Sequence, residues 1–166
     1  MAKQSNPSWR LNQQKSQLSF EIRNAGFKVK GSFSGLEAEI QLSEDQPEKG
    51  RIQASLSVAT INTRNSLRDS HLKQADYFYV QKHPKIIFQS EEILKDEQGY
   101  RALGSLAIRG IRRQVEIPFQ IKAGNNGILM EGNFELNRLD YKVGSPSFIL
   151  DKKVTVFIQA YIEQAS

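Results

Sequence analysis

The chain has 166 residues, 39% of them hydrophobic and 25% charged, with 23 Lys and Arg against 18 Asp and Glu for a net charge of +5. That length suits one domain, and the balance of apolar and charged residues excludes a disordered chain. Cysteine is absent, which excludes a disulfide framework, a thiolate metal site and a cysteine nucleophile together.

Residues 1–8 are polar and read as a disordered segment ahead of one domain spanning 9–166. They lack the apolar stretch of a signal peptide. The chain is therefore expected in the cytoplasm as it stands, and in the periplasm or outside the cell if a signal peptide has been removed. Beyond them the dominant period is two. Leu18, Phe20 and Ile22 alternate with Ser19, Glu21 and Arg23, which puts the apolar set on one face of a strand. Ala25-Gly26 marks a turn; Phe27, Val29, Gly31 and Phe33 then repeat the alternation, and Leu36, Ala38, Ile40 and Leu42 continue it. Ser43 to Gly50 reads as an acidic loop, and Ile52, Ala54, Leu56 and Val58 as the next strand.

Asn65 to Asp76 breaks the rhythm. Leu67, His71 and Leu72 sit at helical spacing, with Asn65 or Ser66 available as N-cap. A short helix is expected there, covering one mouth if the strands close into a barrel. Alternation resumes at Ile86 and Phe88, then Ala102, Leu106 and Ile108, then Val115 to Ile121, Leu129 to Leu136, and Val154 to Ile162. Turn residues separate them: Gln98-Gly99, Arg109-Gly110, Gly124 to Gly127, and Gly144-Ser145-Pro146. Many short alternating strands with no parallel βαβ rhythm predict an antiparallel sandwich or barrel. No window approaches the ~20 apolar residues of a membrane span.

The densest basic run, Arg109 to Arg113, contains Gly110 and looks like a hairpin tip. It is not a basic face interleaved with aromatics, so nucleic acid is not an expected partner. Transient contact with an anionic membrane surface does fit the mild positive charge. Phe20, Phe33, Phe88, Phe119 and Phe134 fall on inward positions beside the small residues Ala38, Ala54, Ala102, Gly104 and Gly132. Small beside large leaves room inside a barrel, although on composition alone a packed core with no ligand is the better fit.

His71 with Asp69 and Ser66 has the residue types of a triad, but all three share one short helix and nothing announces an oxyanion hole. Arg68 and Asp69 are expected to orient that helix on the barrel rim, and Asp76 to end it. Arg138 and Asp140 are expected to clamp the terminal strand. Glu91-Glu92 and Asp96-Glu97 are neighbours on strands, whose side chains point to opposite faces, a poor geometry for shared acid–base work or a metal. No catalytic residue, metal or catalytic cofactor is expected.

The segment Ile61 to Phe78, with Thr63, then Arg68-Asp69-Ser70-His71-Leu72, then Asp76-Tyr77-Phe78 before the strand that follows Pro84, resembles the YceI family of bacterial polyisoprenoid-binding, lipocalin-like proteins. Gly104-Ser105-Leu106-Ala107-Ile108-Arg109-Gly110 is similar to that family's hairpin signature, and Arg138-Leu139-Asp140-Tyr141 to its C-terminal element. Lys15-Ser16 and Asn24 stand where family members often carry histidines.

The resemblance implies an all-β fold: an extended antiparallel, lipocalin-like barrel of about eight strands, with a hydrophobic channel for an isoprenoid chain such as a quinone or polyprenyl phosphate. Its channel residues here would be Phe20, Ile22, Phe33, Leu56, Phe78, Phe88, Leu106, Phe119 and Phe134, with Arg68 and His71 as headgroup candidates. The expected function is non-catalytic binding, sequestration or transport of that lipid, with a homodimer also plausible. The alternative is a lipocalin-like interaction module with a packed interior and no ligand.

Overall fold

Period-two patterning becomes ten strands and one short helix in the computed structural model, which describes residues 8–43 and 45–164. The strands are β1 (Ser8–Leu11), β2 (Gln17–Asn24), β3 (Phe27–Phe33), β4 (Glu37–Gln41), β5 (Arg51–Ser57), β6 (Lys85–Asp96), β7 (Gly99–Ile108), β8 (Ile111–Gly124), β9 (Gly127–Asn137) and β10 (Lys153–Gln164). The helix α1 (Ser66–Leu72) lies on the excursion between β5 and β6. Residues 1–7 of the expected disordered segment lie outside the described residues. Ser8, its last member, instead opens β1, because it finds a ladder partner in Gln41.

All neighbours are antiparallel, in the order β1-β4-β5-β6-β7-β8-β9-β10-β2-β3, and β1 also pairs with β10. β1 and β2 run end to end along one edge of β10, Leu11 opposite Ile162 and Gln17 opposite Gln159. β3 and β4 are likewise two halves of one line, β3 against β2 and β4 against β1. The ring is therefore a closed antiparallel barrel of eight staves, two of them broken, with the lipocalin-like form expected.

Each break has a hydroxyl that takes over the backbone bonds the ladder loses. In the first, Ser16 Oγ donates to Asn12 O at 2.7 Å and accepts from Tyr161 N at 2.9 Å. In the second, Thr60 Oγ1 accepts from Ser34 N at 3.0 Å and donates to Ser57 O at 2.6 Å.

The two ends of the barrel differ. Residues 42–43 and 45–50 of the β4–β5 connection, with the hairpin loops 97–98 and 125–126, cap one end, the floor, where Ile93 and Ile162 are fully buried beside Leu42 and Tyr100. The mouth gathers the β2–β3 turn, the 58–84 excursion with α1, the β7–β8 turn and the 138–152 segment. Helix α1 ends at Leu72, short of Asp76, because backbone bonds from Phe78 N to Leu72 O and Tyr79 N to Gln74 O wind the chain into successive turns. Asp76 does not end the helix; its carbonyl accepts from Gly144 N at 2.9 Å, joining the excursion to the 138–152 segment. No helix among the described residues is long and apolar enough to cross a membrane.

A bulge between Ser90 and Glu92 shifts the phase of β6. Inward positions change from Ile86 and Phe88 to Ile93, and both Glu91 and Glu92 face solvent rather than opposite sides of the sheet. Opposite the bulge stands Gly104, expected to leave room inside the barrel. Its missing side chain does something else: a Cβ there would lie 2.2 Å from Gln89 O on the neighbouring strand. Gly104→Ala should therefore cost about 3 kcal/mol by forcing β6 and β7 apart, a fall of roughly 6–12 °C in Tm by calorimetry. An unchanged Tm would show that the bulge relaxes freely.

Candidate functional site

Between mouth and floor the barrel encloses a cavity of about 430 Å³. The alternation of the strands delivers its wall. Phe20 and Ile22 reach it from β2, Phe33 from β3, Leu56 from β5, Phe88 from β6, Leu106 from β7, Phe119 from β8 and Phe134 from β9. Phe78 comes in from the excursion, and Arg68 and His71 from α1. All nine expected channel residues and both headgroup candidates thus surround one space.

Phe20, Phe33 and Phe78 form a run of rings, with centroids 5.5 and 6.1 Å apart along it. Phe20 lies flat over its cross-strand partner Gly31, where a Cβ would meet the ring at 2.2 Å. Around the rest of the wall, Ala38, Ala54 and Ala102 keep it thin, whereas Gly132 lets two backbones close up, since a Cβ there would lie 2.4 Å from Pro118 O on the neighbouring strand. At the bottom Phe119 stacks on Tyr100 at 5.2 Å, closing the tube onto the floor. Phe27, on the same face of its strand by parity, is 77% exposed instead, because it sits at the turn beyond the rim.

Most polar groups of the lining cluster at the mouth: Asn24, Thr63, Arg68, His71, Tyr77, Arg138 and Tyr141. Thr63 is buried and doubly held. Asp69 accepts from its backbone N at 3.0 Å and from its hydroxyl at 2.5 Å. Arg68 donates through Nε to Thr63 Oγ1 at 2.8 Å and through Nη2 to Thr63 O at 2.7 Å. The two charged residues of α1 thus orient the helix by gripping one threonine, while Asn65 caps it by accepting from Arg68 N. This knot dismantles the triad pattern, since the Asp69 carboxylate is spent on Thr63. The His71 side chain makes no hydrogen bond among the described residues and packs on Tyr77 at 5.1 Å between centroids.

Arg138 is 4% exposed and donates to three carbonyls: Asp151 O through Nε, Val143 O through Nη1 and Leu150 O through Nη2, at 2.9, 2.9 and 3.1 Å. Burial lowers its pKa from the ordinary value, opposed by Tyr77 and Asp151, and an arginine starts so high that it stays charged. Burial, with Asp140 adding, raises the Tyr141 phenol, which stays neutral at physiological pH. Arg138 does clamp the start of the terminal strand, but Asp140 contributes only its backbone carbonyl, taken by Arg113 Nε at 3.3 Å. Thr63, Asn24, Tyr141 and Leu150 were not singled out as cavity residues. Thr63, Tyr141 and Leu150 lie on turns and irregular segments, where no period marks which way a side chain faces, whereas Asn24 continues the inward parity of Leu18, Phe20 and Ile22 to the end of β2 and is polar. Among the described residues, no group of three or more His, Asp or Glu is placed to hold a metal ion.

A family model, the YceI-like domain, matches residues 9–162. The UPF0312 protein of Serratia proteamaculans is 26% identical over 110 residues, 66% of this chain and 57% of that protein. A UPF0312 protein of Pectobacterium carotovorum is 28% identical over 101 residues, 60% of this chain and 53% of that protein. The chain thus matches little more than half the length of these relatives.

Among solved structures, Burkholderia cenocepacia BcnA superposes with a TM-score of 0.85 at 19% identity, covering 91% of this chain and 98% of that one. A polyisoprenoid binding domain from Saccharophagus degradans, implicated in plant cell wall breakdown, gives 0.71 at 13% identity, covering 96% and 99%. At these identities the likeness is one of fold.

Replacing Arg138 with methionine leaves three inward carbonyls short of a donor. Arg138→Met should lower stability by about 3 kcal/mol in urea denaturation and speed amide exchange across 143–152. Arg138→Lys should recover less than half, since one ammonium cannot match a fork aimed at three carbonyls. A methionine variant as stable as the parent would mean that water replaces the guanidinium.

Proposed function

The chain belongs to the YceI-like domain family, and we propose that its barrel binds and carries an isoprenoid-type lipid without catalysing a reaction. One observation carries the reading: an apolar tube of about 430 Å³, closed at the floor, with its polar side chains gathered at the mouth. That is the division a long tail with a polar head requires. A packed-interior interaction module has no use for such a space. The fold shared with a polyisoprenoid binding domain supports the same reading.

The tail would enter past Phe78 and run down the Phe20–Phe33 wall towards Phe119. Burying it removes apolar surface from water at about 25 cal/mol per Å², with no covalent step. At the mouth, Arg68 and Arg138 are engaged with Thr63 and three carbonyls. His71, on the rim and with no side-chain hydrogen bond among the described residues, is the side chain most available to a quinone carbonyl or a phosphate oxygen. We propose a head of one of these two types. A signal-bearing precursor, with the mature barrel in the periplasm, is the setting in which a carrier between membranes is useful.

Protein purified without added ligand should release a prenyl lipid on organic extraction, read by native mass spectrometry. Delipidated protein should melt lower, and a prenyl quinone or polyprenyl phosphate at about 100 times its Kd should restore roughly 5–11 °C. Ala54→Phe and Ala38→Phe, at cross-strand partner positions on β5 and β4, each push a ring into the tube and should abolish that restoration. A clean apo mass, with no stabilisation by either lipid class, would overturn the carrier reading.

A further inference from the structure

The four most exposed large apolar side chains among the described residues all stand at the mouth: Phe148 (111%), Leu67 (82%), Phe27 (77%) and Ile149 (63%). They are not on loose ends. Ala25 N donates to Ile149 O at 2.7 Å and Asp151 N to Arg23 O at 2.9 Å, so the 148–151 segment is stitched to the β2–β3 turn that carries Phe27. Leu67 is on α1, whose orientation the Thr63 knot fixes. Exposed apolar groups held in place around an opening mark a contact surface.

Charge divides the molecule the same way. Segments 23–28, 58–84, 109–113 and 138–153, which build the mouth, hold 13 of the chain's 23 Lys and Arg and only 4 of its 18 Asp and Glu. The mouth thus carries +9 within a chain of net +5, and the remainder carries −4. The described floor residues 42–43, 45–50 and 95–98 hold four acids against two lysines. Such a molecule is a dipole with its cavity opening at the positive pole, and an anionic surface would turn that pole towards itself.

We propose that the mouth docks on an anionic lipid bilayer, Phe148, Ile149, Phe27 and Leu67 entering the headgroup region while the surrounding lysines and arginines meet lipid phosphates. The alternative occupant, a second copy of the chain, would bring two poles of like charge together. A bilayer complements both the charge and the exposed apolar groups, and it lies where a tail would leave or enter the tube. The docking itself stands on the surface alone; its use for loading and unloading the cavity rests on the carrier reading.

The test is flotation of delipidated protein with phosphatidylcholine vesicles, with and without roughly one-third phosphatidylglycerol. Binding is expected to the anionic vesicles only, falling about tenfold or more in 0.5 M NaCl. The double variant Phe148→Ser, Ile149→Ser changes two exposed side chains and should lose binding by about tenfold or more while keeping the parent Tm. Phe148→Trp should shift its emission to the blue on adding anionic vesicles. Ala54→Phe should dock like the parent, so a failed carrier reading would appear as absent lipid uptake with flotation intact. No flotation, or equal flotation by the double variant, would overturn the proposal. So would dimerisation lost in the double variant without any vesicle binding, which would hand the patch to a second copy.

Discussion

Where the staves of a barrel break or end, backbone groups that a ladder would have paired still need partners, and in this molecule side chains supply them. The mouth exists because of that constraint. Arg138 takes three carbonyls, Thr63 is bonded through both backbone and hydroxyl, and Ser16 and Thr60 bridge the two broken staves. Remove Arg138 or Thr63 and the irregular segments around the opening carry unsatisfied polar groups beside an apolar cavity, each worth about 1–3 kcal/mol. The cavity therefore depends less on its apolar wall than on the polar stitching above it. An apolar wall alone would collapse towards native packing density.

The interior is graded along its axis. Ile93 and Ile162 are fully buried at the floor, whereas Leu18, Phe20, Val29, Phe134 and Leu136 higher up are only half-buried although they point inward. Half-burial on an inward face means that the partner atoms of a packed core are missing there. Dispersion and hydrophobic contacts forgone by those side chains are what an apolar guest would restore. The packed floor and the stitched mouth thus hold the barrel from both ends, so the half-packed middle can empty without the barrel opening.

Alternation in the sequence marked the inward wall because a strand's side-chain period is two, so Phe20, Phe88, Phe119 and Phe134 face inward from spacing alone, while the channel itself was implied only by the family resemblance. The features it hid are those where the period fails. The bulge at Ser90–Glu92 inverts parity within one strand and turned Glu91 and Glu92 the same way. Phe27 keeps its parity but lies past the rim. Gly104 looked like space and is instead a close approach of two backbones. β1 is short, with little alternation of its own, and is a strand because β4 and β10 leave a gap of its width. Arg138 reaches its three carbonyls across 5 to 13 residues of irregular chain, a relation no local pattern encodes.

If the barrel carries a lipid as proposed, selectivity follows from the same division. An apolar tube distinguishes one methylene from the next by only ~1–3 kcal/mol, so tail length is read weakly. A polar group left without a partner at the mouth costs as much in a single position, and the mouth presents donors already committed to the protein. On the proposed carrier reading, a head would use His71 or the edge of Asn24 without displacing Arg68 from Thr63, because displacing it would loosen the helix at the rim. The side chains that hold the mouth together therefore also limit what it admits, and discrimination is exercised at the rim rather than along the tail.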